Sequence, residues 1–180
     1  MPTQPRDVIE FWRAAGPRRW FARDAAFDDE CRARFLDAHH AAARREFEAW
    51  MSDAEGVLAL LILLDQIPRN VFRDSAHAWA ADGLARHCAQ RAIAAGFDAQ
   101  TAPMLRSFFY LPYEHSEALA DQERSLALHR ALPGKNDDRW ARQHYDIILR
   151  FGRFPHRNVA LGRETTPEEQ AFLDAGGFGG

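Results

Sequence analysis

Lysine is all but missing. Of 23 basic residues in a chain of 180, Lys135 alone is not arginine. Arginine in place of lysine is therefore a bias of the whole chain and marks no bidentate site by itself; only the placement of the arginines is informative. Cysteine is nearly as scarce. Cys31 and Cys88 are the only two, and no C-x-x-C occurs. That excludes a disulfide framework and a cysteine-rich zinc site, and both thiols are expected to be reduced, within the fold or half-buried. Long hydrophobic runs are absent. The longest, "VLALLILL" at 57–64, falls far short of a membrane span. The N-terminal "MPTQPRDVIEF" has no apolar h-region, so neither a signal peptide nor a membrane partner is expected, and a reducing cytoplasm is the expected compartment. β-branched residues are few and no period-2 alternation is sustained, which argues against strands. A net charge of −3 argues against a general nucleic-acid binder. There is no glycine-rich phosphate loop, G-x-S-x-G elbow, dinucleotide fingerprint or H-E-x-x-H, so no cofactor is expected. The Glu-x-x-His spacing of helical di-iron sites is missing as well, because Glu114 directly precedes His115, and no metal is expected.

What remains reads as helix. The length suits one globular domain, 1–180, that buries roughly 70% of its unfolded surface. Prolines and glycines punctuate helical patterns throughout. A first short helix is expected near 7–14, and "PRRWF" at 17–21 reads as a turn that drops both aromatics onto the core. A long amphipathic helix covers about 24–50 with a break near His39-His40. The next starts at Asp53, carries "GVLALLILLDQI", and is apolar nearly all round, so it should be the central buried helix, ended by Pro68. Others follow at about 74–95 (stopping at Gly96), 101–110, 114–132 (stopping at Pro133-Gly134) and 137–151. The last is capped by Thr166, with Pro167 at its first position. Short loops between unequal helices suggest stacked antiparallel hairpins, seven to nine helices in all, with 175–180 mobile.

Three stretches could carry chemistry. In "LDQIPRNVFR", 64–73, Asp65 ends the most apolar helix, and a buried carboxylate there needs Arg69 or Arg73. Pro68 should prevent a continuous i,i+4 pair, so the loop must fold back. In "FFYLPYEHSEALADQERSLALHR", 108–130, His115, Leu119, Gln122, Leu126 and His129 share one helical face, with Glu117, Asp121 and Arg124 beside it. Such a face either meets a polar network or lines a cavity. The plain alternative pairs Glu117 or Asp121 with Arg124. In "DDRWARQHYDIILRFGRFPHRN", 137–158, Trp140, His144, Ile147 and Phe151 form a core stripe, with His144 an inward, satisfied histidine. After Gly152 the helix must loosen, and Pro155 excludes its continuation, so Arg153, His156 and Arg157 come from an irregular segment.

"IPRNVF" at 67–72 and "FPHRNVA" at 154–160 echo one another, each placing Pro and then Arg-Asn-Val after an apolar helix. If both exits lie at one end, Arg69, Asn70, Arg153, Arg157 and Asn158 converge on a group that guanidinium matches bidentately, a carboxylate or a phosphate. From Arg130 to Arg163 there are eight basic residues and three acids, an excess of 8 − 3 = +5 within a −3 chain. Either this end meets an anion, or it pairs internally with the acidic 114–123 stretch.

Taken together, "LDQIPRN", "YLPYEHSE", "ADQERS", "RFGRFPHRN" and "LGRETTPEE" resemble the bacterial family catalogued as Domain of Unknown Function 924, in order and over nearly the whole chain. One departure is Ala118, where a polar residue is expected after "HSE". The resemblance implies an all-α, tetratricopeptide-like superhelical bundle and no activity. Its signature segments mark Arg69, Asn70, His115, Glu117, Asp121, Arg124, Arg153, His156, Arg157 and Asn158 as the candidate ligand residues.

Three functional expectations follow. The first is a cytosolic protein binding a small anion, a phosphorylated metabolite or a carboxylate in an arginine- and histidine-lined pocket. The second is a hydrolase-type or metal-assisted enzyme with His115 or His156 as base and Glu117 or Asp121 beside it. The third is a helical adaptor for a partner peptide. None specifies an oligomeric state.

Overall fold

The computed structural model describes residues 3–132 and 138–179, and among them there is helix but no strand. The expected stop at Pro133-Gly134, the single lysine Lys135, the Asp137 start and Gly180 lie outside the described residues. Internal contacts divide the chain into two compact units. The first is Met1–Arg73 with His77–Pro112, and the second is Asp74–Ala76 with Tyr113–Gly180.

The first unit is built on α4 (Ala54–Leu61), which Asp53 caps by accepting a hydrogen bond from the Gly56 amide at 2.8 Å. From Val57 to Leu64 every side chain is buried, as an all-round apolar helix requires. α1 (Pro5–Ala15) and α6 (Asp82–Ala94) pack against α4, while α3 (Ala25–Ala43) packs against α5 (Ile67–Val71). Trp12, Phe27 and Phe108 are fully buried, with the Trp12 ring packed against both of the others; each such side chain contributes roughly 1.5–3 kcal/mol by leaving water. α2 (Pro17–Trp20) is a single turn. It buries Trp20 but leaves Phe21 66% exposed, so only one of the two aromatics reaches the core.

Pro68 does not end the central helix. Between α4 and α5 the chain passes through a π-helical turn, Ile62–Gln66, where the Ile67 amide donates to Ile62 O, five residues back. Proline lacks the N–H for a regular bond to residue i−4 and its ring crowds that carbonyl; the wider turn absorbs the clash and the helix goes on. The long second helix breaks after Ala43, later than His39-His40, and Arg45 takes a positive φ of 62°. α7 (Phe97–Gln100) and α8 (Pro103–Arg106) are short. The described helical segments outnumber the seven to nine expected, because several single turns stand where the sequence pattern suggested longer helices or loops.

In the second unit α10 (Leu119–Arg130) packs on α11 (Arg139–Phe151), and α12 (Pro167–Asp174) lies against a 3-10 turn, Pro155–Arg157. Ile147, Ile148 and Phe154 form its core, with Phe151, Phe172 and Phe178 packed on them. Trp140 is 56% exposed, not part of the stripe; Ala141 takes its place on the buried face with His144 and Ile147. α9 (Leu111–Glu114) ends before α10 begins, so His115 to His129 is not one continuous helix. Ser116 Oγ accepts from the Ala118 amide at 3.2 Å and donates to Asp121 at 2.6 Å, which stabilises a turn in place of helix. α12 starts as expected: Thr166 and Glu169 close a capping box and Pro167 takes the first position. Among the described residues no helix is long and apolar enough to cross a membrane.

Candidate functional site

Arg69 and Asn70 find their partners inside the first unit. Arg69 donates through Nη1 and Nη2 to both oxygens of Asp82 at 2.9 Å, and its Nη1 lies 3.2 Å from the fully buried Asp65. Asp65–Arg69 is thus an ordinary i,i+4 pair; the π-helical turn keeps the helix running, so no fold-back is needed. Asn70 Nδ2 donates to Gln66 O at 3.0 Å, and its Oδ1 accepts from Arg73, which also holds Asp28 with two bonds. These residues lock α5 to α6 and α3.

In the second unit a parallel arrangement clips the loop after α11. Gly152, at φ 68°, ends that helix in the left-handed region. Arg153 donates to Glu169 Oε1 at 2.6 Å and Oε2 at 2.8 Å, and Asn158 Nδ2 donates to the same carboxylate at 3.2 Å. Glu169 is buried, and Arg153 foremost, with Thr166, holds its carboxyl down to about 2 against the opposing effect of burial. Glu117 accepts two bonds from Arg163, at 2.7 and 3.0 Å, and one from the Phe154 amide at 2.9 Å. Its carboxyl stays below the usual range because these bonds outweigh the opposing effect of burial, the largest single influence. Asp121 accepts from Ser116, Glu117 is taken by Arg163, and Arg124 is exposed. Much of the local +5 is thereby answered by acids outside the 130–163 stretch: Glu169 on Arg153, Glu117 on Arg163 and Glu168 on Arg150.

Another group assembles around the Phe154 ring. The Arg157 guanidinium lies over it at 4.4 Å and donates to His115 O at 3.1 Å. The His156 ring is 5.7 Å from Phe154, and the His144 ring 5.4 Å. His115 stands 6.1 Å from His144. Behind them Glu114, 3% exposed, places one oxygen 3.2 Å from His144 Nδ1 and the other 3.6 Å from His129 Nε2. Gln122, fully buried, fastens this turn by donating to the carbonyls of Glu114 and Ser116, both at 2.6 Å. His115, His156 and Arg157 are thus brought together, with His144 and Glu114, which the sequence reading had not selected. The only trace of that pair was an inward histidine at helical spacing and an acid next to His115.

Burial above all, then the charge of His115, with Arg157 and His156, pushes the His144 imidazole down to about 3, although its bond to Trp140 O opposes this. His144 is neutral, so its contact with Glu114 is not an ion pair, and its Nδ1–H is shared with Trp140 O. An unfolded imidazole takes a proton near pH 6.5, whereas folded His144 takes one only near pH 3. As pH falls below 6.5 the unfolded state binds the proton and the folded state does not, so stability drops with acid, by roughly 3 kcal/mol at pH 4 from this group. Thermal melts at pH 7 and pH 4.5 should show this decline, and it should shrink in His144→Phe. An equal decline in that variant would assign the acid sensitivity elsewhere.

Beside the cluster an open groove of about 570 Å³ runs along α11, lined among others by Arg139, Trp140, Arg142, Arg150, Phe172 and Phe178. Phe178, in the tail expected to be mobile, sets its ring edge-on to His144 at 4.6 Å and to His156 at 5.2 Å. Among the described residues no group of three His, Cys, Asp or Glu is arranged to hold a metal.

A solved structure of a protein of unknown function from Agrobacterium tumefaciens is 51% identical to this chain. The match covers 95% of this chain and 97% of that one, with a TM-score of 0.91. No curated protein matches the chain. The bacterial family described as a protein of unknown function, DUF924, matches residues 8–177, and the chain belongs to that family.

Proposed function

We propose that the protein binds a small anion, a phosphate or a carboxylate, through His115, His156 and Arg157 of the second unit. One observation carries the reading: two imidazoles, His144 and His156, and the Arg157 guanidinium gather around the ring of Phe154, and a third imidazole, His115, stands 6.1 Å from His144. Arg157 is buried and donates to His115 O, and a guanidinium is the cation that matches a phosphate or a carboxylate with two parallel hydrogen bonds. Glu117, Asp121, Arg153 and Asn158 serve as the frame of this site, while Arg69 and Asn70 anchor α5. Arg124 is available to the frame's outer surface. The compartment that goes with the reading is the cytosol, supported by two buried thiols, Cys31 and Cys88. The scaffold that goes with it is tetratricopeptide-like, supported by the pairing of α10 with α11 and of α3 with α5.

An acid–base enzyme draws less support. Glu117 is committed to Arg163 and to the Phe154 amide, which leaves it poorly suited to serve as the partner of a catalytic imidazole.

The test is calorimetric titration with inorganic phosphate, backed by the rise of melting temperature with ligand. The double variant His115→Ala/His156→Ala should bind phosphate at least tenfold more weakly while melting within a few degrees of the parent. Undiminished binding in that variant would overturn the assignment.

A further inference from the structure

The tail after α12 is built to deliver one ring to one place. Gly176 adopts a φ of +76°, a conformation side chains disfavour. Gly177 donates its amide to Phe172 O at 2.9 Å, and a Cβ there would stand 2.5 Å from that oxygen and 2.6 Å from the Phe172 ring. Only glycine lets the backbone pass so close. These two residues turn the chain back, and Phe178 comes to rest edge-on against His144 and His156. The same ring forms part of the wall of the α11 groove, which also presents Arg139, Arg142 and Arg150, with Asp146 as its one acid, and the exposed indole of Trp140.

We propose that Phe178 is an internal stand-in for the ring of a ligand: the site takes an aromatic molecule bearing a phosphate or carboxylate, which enters along the α11 groove as the tail lifts. The inference rests on the anion site at His115, His156 and Arg157. Exchanging ring for ring keeps His144 in apolar surroundings, so the ligand's aromatic part replaces the Phe178 contacts at little cost. Its anionic group gains the histidine–arginine rim, which Phe178 cannot use. Gly176 and Gly179 are exposed and Phe178 is half-buried, so lifting the described part of this segment uncovers that ring and breaks the turn on Phe172. The groove's size falls in the usual range for small-molecule sites, and its arginines would draw an anion toward the entrance.

Phenyl phosphate and inorganic phosphate are the probes, each titrated into the full chain and into Phe178→Ala. The parent should prefer phenyl phosphate by at least tenfold. Phe178→Ala should gain fivefold or more for phenyl phosphate and stay within twofold for inorganic phosphate. Phe178→Leu, which keeps apolar bulk without a ring, should fall between the two and guards against a folding defect. Imidazole NMR signals of His144 and His156 should move on adding phenyl phosphate. If Phe178→Ala gains nothing for phenyl phosphate while inorganic phosphate still binds, the stand-in is overturned and the anion site survives. If inorganic phosphate binds neither protein, the anion site itself falls and this inference with it.

Discussion

Arg69→Ala is expected to destabilise the first unit by about 3–5 kcal/mol, because it strips the partner from a fully buried carboxylate. Asp65 would keep its hydrogen bond from Gln66 Nε2 but lose its neighbouring cation, and Asp82 would lose two bonds of 2.9 Å. The helix has no easy way to let Asp65 out, since Ile62, Leu63, Leu64 and Ile67 around it are all buried. A drop in melting temperature of roughly 2–4 °C per kcal/mol is the expected readout for a chain of this size. The companion experiment is the double replacement Asp65→Leu/Arg69→Met, which removes both charges while keeping apolar volume. It should recover most of the loss, because the penalty of the single change is the orphaned charge and not the missing attraction. If the double variant is as unstable as Arg69→Ala, the pair matters through the π-helical turn and not through charge. This behaviour would set Arg69 apart from His115 and His156, whose removal should affect binding and hardly affect melting.

Glu169→Ala should loosen the whole segment from Arg153 to Glu169. That one carboxylate receives two N–H groups of Arg153, the side chain of Asn158 and the Thr166 amide at 2.8 Å. Its loss opens one half of the capping box, leaving the Thr166 cap itself, and removes the carboxylate that holds Arg153, so amide hydrogen exchange across 153–169 should rise tenfold or more while α4 and α6 stay protected. Unchanged exchange would mean that the apolar contacts of Phe154 hold the loop alone. Acid offers a second check. A carboxyl ordinarily titrates near pH 4.3, and Glu169 is held to about 2, so its stabilisation is complete above that ordinary value and disappears as pH falls through about 2. His144 weakens the same unit earlier, from pH 6.5 downward. An acid titration should therefore show two stages, and Glu169→Gln should remove the second alone.

Local patterns announced much of this. Asp53, Thr166, Pro167 and Gly152 do what their chemistry requires at helix ends, and the run at 57–64 could be nothing but a buried helix. Pro68 misled because a proline's effect depends on whether the preceding turn can widen, and that depends on packing around Ile62–Gln66 which no local rule encodes. The stripe from His115 to His129 failed for a similar reason. Its spacing is helical, but Ser116 offers the backbone another bonding scheme, and Gln122 fixes it from nine residues beyond Tyr113. The arginine exits were legible as residues and illegible as partners: Glu169 and Glu117 lie far from Arg153 and Arg163 in sequence, and Asp82 is separated from Arg69 by a turn. Phe178 gave no signal at all, since a glycine-rich tail reads as unstructured until Phe172 and His144 are seen beneath it.

Both sulfhydryls, Cys31 and Cys88, are enclosed in the first unit, and burial pushes the Cys31 thiol up to about 12. A thiolate-seeking reagent is thus a clock for transient opening of the first unit alone, and it can time that event without any engineered label while the second unit stays silent.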